Sequence, residues 1–243
     1  MRVNRLGEPQ GAATARARHE KSTSISAPLF RSLTDQLAED RRWVILDLGA
    51  AHPETLALLN GVRCRLDIAD LTQDIERVSA SIAGEATSTA VTLPDVRDPE
   101  PADIVLCWDI LNYLDRDALS ALMAQIAARC RPGALVHALI VYSERVMHGR
   151  PGEYLPADAG TLLDSAPDAP EVLAPRYSTE ALSQAMPDYT VDRVRLLSNG
   201  MQEYLFKTRS LRKGLGPPPN VGFVGPKPVR RARKRSASVQ EQG

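Results

Sequence analysis

Runs of apolar residues alternate with stretches of helical periodicity through the middle of this chain. Apolar runs bounded by turn residues predict strands, here at residues 43–48, 63–69, 90–93, 103–108, 134–142, 189–197 and 201–208. Apolar positions three or four apart predict helices, here at residues 27–40, 53–59, 71–82, 115–130 and 178–186. Strands and helices in alternation favour an α/β fold, a doubly wound and mostly parallel seven-stranded sheet with right-handed crossovers.

Turn signals refine this picture at three places. Asn199-Gly200 separates the last two predicted strands and is typical of a tight hairpin, so these strands should be antiparallel. Arg131-Pro132-Gly133 predicts a turn that ends the longest helix. Residues 143–176 are rich in Pro, Gly, Asp and Ala and only weakly periodic. They are expected to form a long loop or a small lid.

Composition indicates a soluble protein of the cytoplasm. The 243 residues are 43% hydrophobic and 25% charged, which is ordinary for a globular chain. The longest apolar run, residues 134–142, is far too short to span a membrane. The three cysteines, Cys64, Cys107 and Cys130, show no metal-ligand spacing and are expected to be reduced thiols. A metal site is not expected.

Charge divides the chain into three parts. Residues 1–25 carry five Lys or Arg against two Glu, and residues 211–243 carry eight against one. We therefore expect a disordered basic arm (1–25), an acidic domain (26–210) and a disordered tail rich in Pro and Gly and then in basic residues (211–243). The tail favours either a weak electrostatic partner, such as nucleic acid or acidic lipid, or a merely solubilising role.

Candidate chemistry lies where the first predicted strand ends. Asp47 closes that strand, Gly49 makes a tight turn, and Pro53 opens a helix. Such units place backbone N–H groups and a carboxylate at the edge of an α/β sheet, where nucleotide-like ligands bind. A purely structural turn is the alternative. The chain contains no GxGxxG, P-loop or GxSxG motif, which disfavours dinucleotide binding.

Four segments in this order and spacing resemble the class I S-adenosylmethionine-dependent methyltransferases, over roughly residues 43–208. They are residues 44–49 (VILDLG), 65–70 (RLDIAD), 102–114 (ADIVLCWDILNYL) and 129–134 (RCRPGA). The resemblance implies a Rossmann-like methyltransferase fold, S-adenosyl-L-methionine as cofactor, and transfer of its methyl group to an acceptor. Small-molecule, protein and RNA acceptors all remain open.

The resemblance also implies roles for single residues. Asp47 and Gly49, with Ala50 and Ala51, shape the turn around the methionine part of the cofactor. An acidic residue after the second strand binds the ribose hydroxyls. Asp67 and Asp70 both fit that role, and Asp70 is favoured because it ends the apolar stretch. Asp95 and Val96 stand where the family contacts the adenine, and Asp109 where it lines the cofactor and substrate pocket. Trp108 and Tyr113 are expected to be core or rim aromatics.

Two positions depart from the family pattern, because Ala51 and Pro53 stand where glycine is common. Ala51 adds a methyl group at the ligand turn, and Pro53 removes one backbone donor. One lost hydrogen bond costs roughly 0.5–1.5 kcal/mol, about tenfold in affinity or less, so binding is weakened and not abolished. No catalytic residue is named, since methyl transfer mainly needs proximity and orientation. A non-catalytic binding or scaffold protein of this fold is the alternative.

Overall fold

The structure is a computed structural model that describes residues 22–75, 91–95, 99–165 and 167–209. Its strands are β1 (Thr23–Ser26), β2 (Trp43–Asp47), β3 (Cys64–Ile68), β4 (Ala102–Leu106), β5 (Cys130–Val141), β6 (Val146–His148), β7 (Glu153–Asp158), β8 (Thr161–Ser165), β9 (Glu171–Leu173), β10 (Tyr189–Leu196) and β11 (Met201–Thr208). Its α-helices are α1 (Pro28–Leu37), α2 (Pro53–Leu58), α3 (Arg116–Ala128) and α4 (Thr179–Ala185), and a 3₁₀ helix spans Ile110–Tyr113.

The central sheet has the strand order β10-β11-β5-β4-β2-β3. Strands β3, β2, β4 and β5 run parallel, and the hairpin β10–β11 joins β5 antiparallel. The Rossmann-like α/β fold and the closing hairpin are therefore confirmed. The hairpin turn places Gly200 at a φ of +80°, a region that glycine enters without a steric penalty.

The third predicted strand, at residues 90–93, is not seen in the part of the chain that the structure describes, so the central sheet has six strands there instead of seven. Val91, Thr92 and Leu93 carry no strand, and residue 90 lies outside the described ranges. Val91 and Leu93 are buried in the core, and the N–H of Leu93 bonds the Gln125 side chain at 3.0 Å. The apolar character that predicts a strand here serves packing against α3 instead of pairing.

Both faces of the sheet are covered, as the successive apolar residues of β2 and β4 predict. Neighbouring residues point to opposite faces: Leu46 and Val105 contribute to the core that includes α3 and α4, and Ile45 and Ile104 to the core that includes α1. Every residue of β2 and β4 is buried. These two strands thus form a rigid centre whose carboxyl ends position the site.

Residues 143–176 were expected to form a long loop or a small lid, and their described part contains four short strands, so the structureless long loop is corrected. Strands β7 and β8 form a hairpin, and β1 pairs with β8 to complete a small sheet of order β1-β8-β7. Strands β6 and β9 pair separately. We call residues 143–176 the lid. Three to six residues per strand give too little alternation to be recognised in the sequence, and the pairing with β1 is remote along the chain.

Two further predictions need correction. Disorder is wrong for residues 23–25, because they belong to β1 and Ile25 is buried. The predicted turn at residues 131–133 lies within β5, where the register against β4 shifts and Gly133 has a φ of +81°. The signal marks a β-bulge, which needs the same glycine conformation as a turn.

Some predictions fall outside the described residues. These are the arm up to residue 21, the tail from residue 210, Val96, and the predicted helix beyond residue 75, of which residues 72–75 are helical. In the described ranges, none of the helices has the length and apolar character required to cross a membrane.

Candidate functional site

The turn after β2 is built around the buried carboxylate of Asp47. Its Oδ1 accepts hydrogen bonds from the Gly49 N–H at 2.9 Å and from the Trp108 indole Nε1–H at 2.6 Å. Burial is the main reason that the pKa of Asp47 is raised to about 6, and these two donors oppose the rise. Asp47 therefore fixes the shape of the turn, and it joins that turn to the end of β4.

Trp108 packs directly on this turn. A Cβ added at Gly49 would lie 2.8 Å from two atoms of the indole ring, Cδ1 and Nε1. Trp108 itself has a φ of +50°, which is unusual for a bulky residue and marks local strain. Its ring stacks on Tyr154 of the lid, with 6.5 Å between centroids and 8° between planes. Glycine at position 49 is thus required by close packing against Trp108.

A cavity of about 340 Å³ lies beside this turn, at the carboxyl ends of β2 and β4. The chain runs from β2 outward to β3 and returns to β4 on the other side of β2. Open α/β sheets bind ligands at such a reversal of strand order. Gly49, Ala50, His52 and Thr72 line one side of the cavity.

The opposite side is formed by the end of β4 and by the lid. Trp108 and Asp109 contribute from the strand end, and Arg150, Gly152 and Tyr154 from the lid. Their position depends on tertiary packing, so no single lid residue was named as a site residue, and Trp108 was expected to be a core or rim aromatic. The signals in the sequence were the Pro- and Gly-rich composition of the lid and, for Trp108, its place in the segment 102–114.

Asp109 lies in the cavity wall with its two carboxylate oxygens in different environments. Oδ2 accepts a hydrogen bond from the Gly152 N–H at 2.8 Å. The Tyr113 hydroxyl lies 3.3 Å from the same oxygen and donates to the Arg150 carbonyl at 2.6 Å. Oδ1 is buried and has no hydrogen-bond partner among the described residues. Burial is the main cause that raises the pKa of Asp109 to about 7.

The two candidate ribose-binding acids lie in different places. Asp67 sits within β3, and its Oδ1 pairs with Arg65 Nε at 2.8 Å. Asp70 follows the strand, has a φ of +42°, and accepts a hydrogen bond from Thr72 Oγ1. Thr72 lines the cavity. Asp70 is therefore adjacent to the cavity, and Asp67 is held in an ion pair away from it.

Of the remaining predicted site residues, some line the cavity and others do not. Ala50 lines the cavity, whereas Ala51 and Asp95 are exposed and are not part of its wall. Val96 lies outside the described residues. The turn, Asp109 and the neighbourhood of Asp70 are thus brought together. Across the described ranges, no group of three or more His, Cys, Asp and Glu side chains could hold a metal ion.

The buried side chains of Glu203 and His137 lie beside the aromatic wall of the cavity on the side of α1. Glu203 of β11 accepts hydrogen bonds from the backbone N–H groups of Leu29 and Phe30, at 2.8 and 2.7 Å. Its Oε1 also lies 2.9 Å from His137 Nε2. The His137 ring meets Trp108 edge to face, with 6.3 Å between centroids. Glu203 therefore connects the start of α1 to the aromatic wall of the cavity.

Comparison with known proteins gives similarity in structure only. No family model matches this chain, and no curated protein sequence matches it. Among solved structures, it is similar to the 1,6-didemethyltoxoflavin-N1-methyltransferase of Burkholderia thailandensis with bound 1,6-didemethyltoxoflavin and S-adenosylhomocysteine. Identity is 15%, with a TM-score of 0.42 and coverage of 86% of this chain and 93% of the other.

Two further structures show similarity of the same degree. Magnesium protoporphyrin IX methyltransferase of Synechocystis PCC 6803 with bound SAM has 11% identity, a TM-score of 0.43 and coverage of 84% and 86%. The pyocyanin biosynthetic protein PhzM has 15% identity, a TM-score of 0.41 and coverage of 74% of this chain, which spans only 54% of PhzM. Such similarities are too low to transfer a function, which must be argued from the site.

Proposed function

We propose that this protein binds S-adenosyl-L-methionine in the cavity and transfers its methyl group to an acceptor. The observation that carries the proposal is the place of the cavity. It lies at the reversal of strand order, between the glycine turn after β2 and the buried acid after β4. Ligand pockets usually measure about 300–1,000 Å³, and the cavity of about 340 Å³ falls near the lower end of that range.

The residues around the cavity suit the separate parts of this cofactor. We assign the backbone of Gly49 and Ala50 to the methionine part, and the carboxylate of Asp70, instead of Asp67, to the ribose hydroxyls. Asp95, which does not line the cavity, and Val96, which lies outside the described residues, are proposed for the adenine on the family resemblance alone. When bound, the cofactor supplies an electrophilic methyl group, and the protein holds the acceptor in line with it.

Calorimetry with S-adenosylmethionine and S-adenosylhomocysteine tests the proposal on the full chain. Asp70→Asn should weaken binding about 10- to 100-fold, because a hydrogen bond to a charged group contributes roughly 1.5–3 kcal/mol. Asp67→Asn is the matched control and should bind within threefold of the wild type. Absence of binding at millimolar ligand, or equal losses in both variants, would contradict the proposal.

One observation favours the second candidate, a non-catalytic binding or scaffold protein. The Trp108 indole covers Gly49 and occupies the Asp47 oxygen that faces the turn, so the turn is already satisfied internally. Transfer of a radiolabelled methyl group into fractionated cell extract separates the two functions. Cofactor binding without transfer into small-molecule, protein or RNA fractions would support the scaffold.

A further inference from the structure

The indole of Trp108 covers one face of the glycine turn after β2. Trp108 and Gly49 both line the cavity. A Cβ added at Gly49 would lie 2.8 Å from Cδ1 and from Nε1 of the indole, so this side of Gly49 has no room for a ligand atom. The Gly49 N–H is also engaged, because it donates to Asp47 Oδ1 at 2.9 Å. In this conformation a ligand gains neither that face of Gly49 nor its donor.

Two contacts of its side chain hold the indole in this position. The Nε1–H donates to Asp47 Oδ1 at 2.6 Å, and the ring stacks on Tyr154 of the lid. The backbone is fixed separately, since the Trp108 carbonyl accepts the Leu139 N–H of β5 at 2.7 Å. Rotation of the Trp108 side chain therefore uncovers Gly49 without a change in the central sheet.

The covered conformation is strained, and its loss leaves no polar group unpaired. The φ of +50° at Trp108 is unusual for a bulky residue, and such outliers cluster at switch regions, where surrounding contacts hold them. When the indole leaves, Asp47 Oδ1 keeps the Gly49 N–H as its donor. The released indole N–H faces a cavity of about 340 Å³, which is large enough for water to accept its hydrogen bond.

From this geometry we infer that Trp108 is a gate on the cofactor site. The conformation described above is the closed state, and S-adenosylmethionine reaches the covered face of Gly49 only after the indole has moved away. The inference rests on the proposed function, which assigns the backbone of Gly49 and Ala50 to the methionine part of the cofactor. The apparent affinity for the cofactor is then the affinity of the open state multiplied by the fraction of molecules that are open.

Trp108→Phe tests the gate through affinity. Phenylalanine keeps an aromatic ring beside Tyr154 but has no N–H for Asp47, so the closed state loses its hydrogen bond. With an open state populated at about 10% or less in the wild type, the variant should bind S-adenosylhomocysteine about tenfold more tightly or better. Calorimetry on the full chain measures this. Trp43→Phe, at the other end of β2, is the control and should change the affinity by about threefold or less.

Tryptophan fluorescence follows the gate without altering it. The chain has two tryptophans, so the Trp43→Phe chain reports on Trp108 alone. Trp108 is 6% exposed in the closed state and meets water when the gate opens. S-adenosylhomocysteine should therefore shift the emission to longer wavelength and make it easier to quench with acrylamide. A fixed wall residue would instead become more shielded by the ligand. This measurement decides the question even where Trp108→Phe fails to fold.

The outcomes separate the gate from the proposed function. If neither the wild type nor Trp108→Phe binds S-adenosylhomocysteine at millimolar concentration, the proposed function is overturned and the gate with it. If the wild type binds and the Trp108 emission does not move to longer wavelength, or if folded Trp108→Phe binds no more tightly than the wild type, the gate alone is overturned. Binding by Trp108→Phe where the wild type fails supports both.

Discussion

Two buried carboxyl groups at the ends of neighbouring strands differ in how they are satisfied. Asp47 receives two strong donors on one oxygen, while Asp109 receives the Gly152 N–H on one oxygen, and its other oxygen has no hydrogen-bond partner among the described residues. Burial raises the pKa of Asp47 to about 6 and that of Asp109 to about 7. Asp47 thus holds the turn, and Asp109 joins the end of β4 to the lid through Gly152.

Replacing Asp109 with Asn should stabilise the protein near neutral pH. An unfolded Asp has a pKa of about 3.9, so between pH about 4 and 7 the folded state retains a proton that the unfolded state has lost. The wild-type free energy of unfolding therefore falls as the pH rises through this interval. The free energy of unfolding of the variant does not fall in this way. It should exceed that of the wild type by up to about 4 kcal/mol above pH 7 and by almost nothing at pH 4.

Urea unfolding of both proteins from pH 4 to pH 8 measures this difference. A gain that does not change with pH would show that the Asp109 carboxyl is not buried as described.

Gly49→Ala should destabilise the protein through its contact with Trp108. The new methyl group would lie 2.8 Å from the indole ring, and overpacking of this kind costs about 1–3 kcal/mol. Urea unfolding of Gly49→Ala, Trp108→Phe and the double variant forms a double-mutant cycle. The double variant should be more stable than the sum of the single effects predicts. Strict additivity would exclude the clash as the cause.

At the scale of elements, α1 depends on a residue far from it in sequence. The helix begins at Pro28 with no side-chain cap of its own, and the Glu203 carboxylate accepts its first N–H groups instead. A carboxylate at a helix N-terminus is favoured by the helix dipole as well as by these bonds. The sequence predicts the helix from its apolar face but contains no local sign of its cap.

Glu203→Gln should therefore lower the free energy of unfolding by about 1–3 kcal/mol. An amide removes the negative charge and turns one acceptor into a donor, which leaves an N–H of α1 or His137 without its partner. Glu171→Gln, at an exposed residue of β9, is the control and should change stability by about 0.5 kcal/mol or less. Equal stability of the two variants would contradict a capping role for Glu203.

The success of the element predictions follows the strength of the periodicity. Helix α3 and strands β2, β10 and β11 lie within two residues of their predicted ends, because long apolar patterns specify them. The predictions for residues 91–93 and for the lid were wrong for opposite reasons. Residues 91–93 are apolar but do not pair with another strand. The lid strands pair with one another and with β1, but their sequences are not strongly apolar.

At the scale of the whole molecule, β1 pairs with the lid, whose residues form part of the cavity wall. Strand β1 pairs with β8, and its Ile25 side chain is buried. Just after the strand, the Ala27 N–H donates a hydrogen bond to the Gly160 carbonyl at 2.8 Å. Strand β7, the partner of β8, carries Tyr154 to the cavity. Packing of one short terminal strand is thus coupled to the proposed binding site.

Two truncations test this coupling. A chain of residues 22–209 should keep the melting temperature of the full protein within a few degrees, because it retains every described element. A chain of residues 28–209 lacks β1. Loss of the buried Ile25 side chain alone should lower its free energy of unfolding by about 2–3 kcal/mol. This chain should also bind S-adenosylhomocysteine more weakly. Calorimetry measures both properties. Equal stability and affinity of the two truncated chains would show that β1 does not support the lid.

The sequence by itself determined the order of the main elements, the closing hairpin, and the turn from Asp47 to Pro53, because local periodicity and turn chemistry specify them. The sequence favoured Asp70 over Asp67, and the tertiary structure placed Asp70 beside the cavity and Asp67 in an ion pair with Arg65. It also decided that Trp108 covers Gly49 and that the lid faces Asp109. These contacts join residues 40 to 60 positions apart, and no local pattern encodes a distance of that kind.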